Sequence, residues 1–479
     1  LWYICLNWVM TVLRSLYHRL LEIVMKIKRF LSAFLLLLTV VSFSAVPAAA
    51  VGEVTPVPDP NIQAKAALLV DKDTGTILYG KNEHDELYPA SLTKIMTALL
   101  TLEAVDQGKL TLDQQLTASA SALNGLASDG SSAGIQVGET MSVESFLKCM
   151  LVVSANEACD VLAEAVSGSV GAFVDAMNAK AKELGCEDTH FANPNGLHDS
   201  QHYTSAWDLY LITTAALKYP EFMTICDMGV AEIPATNLSD TRRLHTTNYL
   251  LSNWRANGYL YSDAHGIKTG STSEAGHCLV STATQGSRTL ISVVLGAERV
   301  VGADGVADVQ SFSETKRLFQ WGFANFSTQK VLSDLDMLAD VPVSLSKIDS
   351  VAVHPASEVD LVLPNDVKPE DLDRKLVLPE SVNAPVTAGQ ELGSVELSHN
   401  GTVYTSVPLV ALNDVAASKL LTFWYNVQQF FSRTIVKVAL VVIGVLIVAG
   451  VGWKLTLGRR RYRYGKPTHH SRGYHGRRR

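Results

Sequence analysis

Residues 89–99 read PASLTKIMTAL, and the rest of the chain is best understood outward from them. A proline and a small residue lead into Ser91, and Leu92, Ile95, Met96, Leu99 and Leu102 then recur at helical spacing, predicting a helix from Ser91 to Val105. Ser91 and Lys94 stand three residues apart, so a helix carries the hydroxyl and the amine on one face, close enough for Lys94 to take the Ser91 proton. A helix N-terminus also favours negative charge developing on the nucleophile. Alone, S-x-x-K is a common chance match, equally readable as a capping serine and a solvated lysine.

Two further triplets change that weighting. Ser154-Ala155-Asn156 falls between predicted helices at Val143–Val152 and Glu157–Val166. Its hydroxyl can relay a proton, and its amide can orient a lysine or bind a substrate amide. Lys268-Thr269-Gly270 sits on a predicted strand, Gly266–Gly270, where Lys and Thr can hold a carboxylate and Gly lets a substrate backbone come close. Strands are also expected at Ala66–Val70, Thr76–Tyr79, Cys278–Thr284 and Thr289–Leu295, and helices at Val170–Leu184, Ser205–Ala216 and Phe312–Phe326. Strands early and late with helices between them predict an antiparallel sheet covered by helices.

In the order S-x-x-K, S-x-N, K-T-G the triplets form a set shared by serine penicillin-recognising enzymes. The likeness extends beyond them: PASLTKIMTAL at 89–99, SANEA at 154–158, NPNGLHD at 193–199 and GIKTGSTSEAGHCLVSTA at 266–283 resemble the D-alanyl-D-alanine carboxypeptidases, the low-molecular-mass penicillin-binding proteins. The resemblance covers roughly 60–300, and more weakly 384–415, which is similar to that family's C-terminal β domain. It implies an α/β fold, a β-lactamase/transpeptidase-like domain at 61–328, followed by an all-β domain at 331–415. It implies that Ser91 is acylated by the penultimate D-alanine of a peptidoglycan stem peptide, Lys94 is the base, and Ser154 passes a proton to the leaving amine. Asn156, Lys268, Thr269, Gly270 and Ser271 would bind substrate, with the N–H groups of Ser91 and Ser271 as oxyanion donors. β-Lactam antibiotics would acylate the same serine, and no metal or cofactor would be needed. His265 before the G-x-K-T-G run and Ser271 after it depart from the family's usual choices, which bears on substrate preference.

The ends of the chain are basic and its middle is acidic: residues 51–453 carry 25 Lys/Arg against 46 Asp/Glu. That argues against nucleic acid as a partner. Residues 1–24 read as an extension outside the fold. Met25–Arg29, the apolar run Phe30–Val46 and Ala48–Ala50 read as a secretory signal over 25–50, an uncleaved anchor being the alternative, with a Pro-rich linker at 51–60. Residues 420–434, with Phe423, Trp424, Tyr425, Phe430 and Phe431, suit a membrane interface, and 435–457 suit a transmembrane helix. The basic tail, 458–479, predicts a cytoplasmic end and an extracytoplasmic body on a bacterial membrane. Five of the six cysteines lie in the body without C-x-x-C spacing, reading as buried thiols with room for one disulfide.

Other readings have less behind them. Gly130–Gly134 fits G-x-S-x-G, but no apolar strand precedes it, so it reads as a loop. His198 and His202 lack a neighbouring carboxylate motif for a metal site. A β-lactamase would not need the β module and anchor, an inactive wall-binding scaffold would not need the triplets, and an endopeptidase would use the same residues.

Overall fold

The computed structural model describes residues 57–124, 130–303 and 305–458. They belong to one of the two units into which the chain divides, Val57–Arg479. The expected extension, signal segment and basic tail beyond 458, with Cys5, lie outside the described residues.

A five-stranded antiparallel sheet organises the first domain. Its strands are β1 (Ala66–Asp71), β2 (Ile77–Lys81), β3 (Ala264–Thr272), β4 (Gly276–Gln285) and β5 (Arg288–Ala297), in the spatial order β2-β1-β5-β4-β3. The alternation of β5 shows why the sheet needs cover on both faces. Ile291, Val293 and Leu295 pack with Leu68 and Val70 into the helical layer. Leu290 and Val294 face the other way, with Leu69, Leu318 and Phe319.

The helical layer is α1 (Lys94–Asp106), α2 (Val143–Val152), α3 (Asn156–Ser167), α4 (Val170–Glu183), α5 (Ala206–Ala216) and α6 (Pro220–Cys226). The opposite face is covered by α7 (Gln310–Asn325). Every residue of α1 from Lys94 to Leu102 is buried, so the helix runs through the layer rather than along its surface. The expected apolar stripe is therefore part of a wholly enclosed helix. Ser91 is not in an α-helix: Ala90–Thr93 form a 3-10 turn and α1 starts at Lys94. Asn156, expected in a connection, is the first residue of α3.

The second domain is all β. Its strands are β6 (Phe326–Leu332), β7 (Ala339–Ser344), β8 (Ser350–Pro355), β9 (Val359–Pro364), β10 (Asp373–Val377), β11 (Val382–Asn383), β12 (Glu391–His399) and β13 (Thr402–Ala411). Six of them form a sheet in the order β10-β12-β13-β8-β7-β11, and β6 pairs with β9. Strand β6 begins at Phe326, directly from α7, so the β structure starts earlier than the expected boundary at 331. Val341, Val353, Leu397 and Leu409 form its buried face.

Two helices follow, α8 (Lys419–Ser432) and α9 (Thr434–Gly458). The stretch Thr434–Leu455 has mean hydropathy 2.7 and is long and apolar enough to cross a membrane. The five described cysteines are all free thiols, so the disulfide left open by the sequence does not form among them.

Candidate active site

The three triplets converge where α1, α3 and the edge strand β3 meet. The 3-10 turn presents Ser91 half-buried, while Lys94, one turn on, is fully enclosed. Lys94 Nζ donates to Ser91 Oγ at 2.9 Å, to Asn156 Oδ1 at 2.8 Å and to the Asn195 carbonyl at 2.5 Å. Burial holds the Lys94 ammonium below the usual lysine range, while Cys159, Asp160 and Glu157 pull it back up. Lys268, only 1% exposed, donates to its neighbour's Thr269 carbonyl at 3.0 Å. Burial, and then repulsion from Lys94, push it down to about 7. Burial is thus the larger cause for both lysines, and their mutual repulsion registers at Lys268.

Ser154 stands in the left-handed region at φ +67, an uncommon conformation for a side-chain-bearing residue. Its hydroxyl is buried and has no hydrogen-bond partner. That orphaned group lines, with Ser91, Thr247, Thr269 and Ser271, a cavity of about 200 Å³. The cavity continues past Ser271 to His277, its cross-strand neighbour, and to the stacked rings of Tyr249 and Phe312, 4.5 Å apart. Thr269 Oγ1 lies 2.6 Å from Thr247 Oγ1, which orients it at the groove edge.

Glycine at 270 also has a packing reason. A Cβ there would stand 2.7 Å from the Pro89 carbonyl and 3.3 Å from Ala90 Cβ and Leu92 Cγ. Gly270 therefore lets β3 press against the turn that carries Ser91. Gly196 does the same from the other side: at φ +85, its Cβ would fall 1.9 Å from the Ala90 carbonyl oxygen. Ala90 itself is held at φ +48.

Several contributors lie outside the three triplets. Asn195, within the 193–199 stretch, supplies a carbonyl to Lys94. His202, considered above only for metal binding, is buried and pushed down to about 4, burial being the main cause, so it is neutral at pH 7. Its Nδ1 accepts from the Ala192 N–H at 3.1 Å, which leaves the Nε2 proton to meet Thr93 Oγ1 at 2.7 Å. Thr93 in turn donates to the Ala90 carbonyl at 2.8 Å. Nε2 thus serves the turn that presents Ser91, while Nδ1 ties the ring to the Ala192 backbone and fixes its tautomer. Ser131, in the G-x-S-x-G stretch, lies in a loop whose carbonyl accepts from Asn156 N–H at 2.9 Å. Glu157 ties that loop down by accepting from Ser132 Oγ at 2.7 Å and Ala133 N–H at 2.8 Å. His265 pairs with Asp227 at 3.0 Å on the surface.

Comparison with known proteins places this arrangement. Residues 53–299 match the family described as D-alanyl-D-alanine carboxypeptidase, Peptidase S11, and 326–417 match the penicillin-binding protein 5 C-terminal domain. The D-alanyl-D-alanine carboxypeptidase DacF of Bacillus subtilis (strain 168) is 32% identical over 361 residues, 75% of this chain and 88% of that protein. The crystal structure of penicillin-binding protein 5 from Haemophilus influenzae aligns with TM-score 0.62 at 31% identity, over 75% of this chain and 99% of that one. A D-alanyl-D-alanine endopeptidase of Pseudomonas aeruginosa is 32% identical over 256 residues, 53% of this chain and 76% of that protein. The chain belongs to the D-alanyl-D-alanine carboxypeptidase family. It is a serine peptidase of the penicillin-binding class that acts in peptidoglycan remodelling.

Proposed function

We propose that Ser91 removes the terminal D-alanine of peptidoglycan stem pentapeptides through an acyl-enzyme. The observation that carries this is the enclosed Lys94 amine, 2.9 Å from Ser91 Oγ and below its usual pKa range. Lys94 takes the Ser91 proton as Oγ bonds to the penultimate carbonyl carbon. The C–N bond then breaks, and the unpartnered Ser154 hydroxyl passes a proton to the departing D-alanine amine. Lys268 and Thr269 hold the terminal carboxylate, Asn156 positions the peptide, and Gly270 and Ser271 complete the strand edge. The N–H groups of Ser91 and Ser271 receive the oxyanion, each such donor being worth about 10²–10³ in rate. Arrival of the carboxylate favours the charged form of Lys268, and the charged Lys268 disfavours a second ammonium at Lys94. Water then hydrolyses the ester. β-Lactams acylate the same serine.

On this reading α9 spans a bacterial membrane, α8 lies at its interface, the body faces outward and the basic end is cytoplasmic. Cleavage of cross-links is the second reading, kept by the likeness to an endopeptidase. Mass spectrometry after penicillin treatment tests the site. A single adduct on the peptide bearing Ser91, absent from Ser91→Ala, is expected; an adduct that survives in Ser91→Ala would refute the assignment.

A further inference from the structure

One buried carboxyl beside this site has no part in the chemistry above. Asp160 lies on α3 one turn beyond Asn156 and is 7% exposed. Its Oδ1 accepts from Asn195 Nδ2 at 3.4 Å, and the backbone carbonyl of the same Asn195 receives Lys94. The Asn195 amide is held in that sense from both ends. Its Oδ1 accepts from Leu197 N–H at 3.0 Å, and its own N–H donates to Asn193 Oδ1 at 3.3 Å.

We propose that Asp160 is a positioning residue for Ser91 acylation, fixing the Asn195 carbonyl against Lys94 and opposing, by its charge, loss of the Lys94 proton. This rests on Lys94 being the base that serves Ser91. The charged and titratable groups that act on Asp160 and Lys94 can be named. From α1 there is Lys94, and from the 193–199 loop Asn195. On α3 itself are Glu157, Cys159 and Glu164, and from β3 Lys268 faces Lys94. Glu157 is engaged with the 131–135 loop, and Glu164 accepts from Ser119 and Ser121. Burial, with smaller contributions from Glu164 and Glu157, pushes the Asp160 carboxyl up to about 7, against the Asn195 hydrogen bond and Lys94. Each charge therefore favours the charged form of the other, against burial, which is the larger cause at both.

The test is acylation of the full-length chain in detergent by a fluorescent penicillin, followed from pH 5 to 10 and normalised to each protein's own plateau. Asp160→Asn keeps the size and an acceptor oxygen but removes the charge, so Lys94 loses its proton more readily. Where the parent's acid limb lies above about 7, the range in which Asp160 is charged, it moves to lower pH, and below it the variant retains roughly threefold more of its plateau rate than the parent; a parent limb below about 7, where Asp160 is neutral, overturns the charge role. An unmoved limb overturns the proposal, since a purely structural role would lower the plateau without shifting it. Should Asp160→Asn fail to fold, Asp160→Glu retains the charge at a longer reach. It is expected to keep the parent's limb with a lower plateau, and a limb moved acidward would count against the idea. A parent that does not label at Ser91, or labels with no acid limb, overturns the reading of Lys94 as base and the proposal with it.

Discussion

Lys268 is held where solvation would never put a cation. An ammonium buried to this degree opposes folding, and the opposition grows as the group becomes charged. Its folded pKa, about 7, lies below the model-peptide value of 10.5, so between these values the unfolded chain binds a proton that the folded chain lacks. Stability therefore rises with pH from 7 upward. The window ends near 9, because buried thiols such as Cys149 and Cys159, pushed up to about 12, begin to lose their folded-state match there. Below 7 the signs are mixed. His202, pushed down to about 4, makes stability fall as pH drops from 6.5, whereas Asp160, pushed up to about 7, makes it fall as pH rises from 4. Thermal midpoints measured from pH 7 to 9 should climb in the parent. In Lys268→Met the slope should flatten, stability at pH 7 should gain about 1–4 kcal/mol, and D-alanine release should fall by ~10²-fold or more. A variant less stable than the parent would contradict the idea that function is bought here with stability.

The turn at 90–93 is set by elements far from it in sequence. Gly196 and Gly270 press on it from a loop and from the edge strand, and His202 holds it through Thr93. Adding one methyl at either glycine must move the Ala90 or Pro89 carbonyl, and Ser91 with it. Gly196→Ala and Gly270→Ala should each slow penicillin acylation by roughly 10²-fold, as misplacement by about 1 Å does. Ser142→Ala is the contrast: it removes the cap that accepts the Ser145 N–H at 3.2 Å, should cost about 1 kcal/mol in denaturant unfolding, and should leave acylation as it was.

The same contacts explain which parts of the site could be read from sequence. Ser91 with Lys94, Ser154 with Asn156, and Lys268 with Thr269 are short-range spacings, and strands β3 to β5 are β-prone runs bounded by turn signals at 273–276 and 285–287. The positive φ at Ala90, the Asn195 carbonyl, Thr247 and the imidazole on Thr93 arise only from tertiary packing. The three-residue ribbons Gln115–Thr117 with Thr140–Ser142 and Arg299–Val301 with Ala307–Val309 are too short to show a period.

At the scale of the molecule, two folded domains among the described residues precede a helix with no buried side. Residues 434–455 are fully outside any protein core, so water is a poor solvent for them. Removal of residues 419–479 should move the protein from the membrane fraction to the soluble one while penicillin labelling is retained. Loss of labelling, or continued sedimentation with membranes, would show that the anchor lies elsewhere or that the two parts depend on each other.

The central claim is that Ser91, served by Lys94, releases D-alanine from a stem pentapeptide. It is tested most directly by assaying free D-alanine from that peptide with the full-length chain in detergent, beside Ser91→Ala. Steady release by the parent, abolished in the variant, is the predicted result. No release by a parent that still forms the penicillin adduct would contradict it and turn attention to cross-linked substrates.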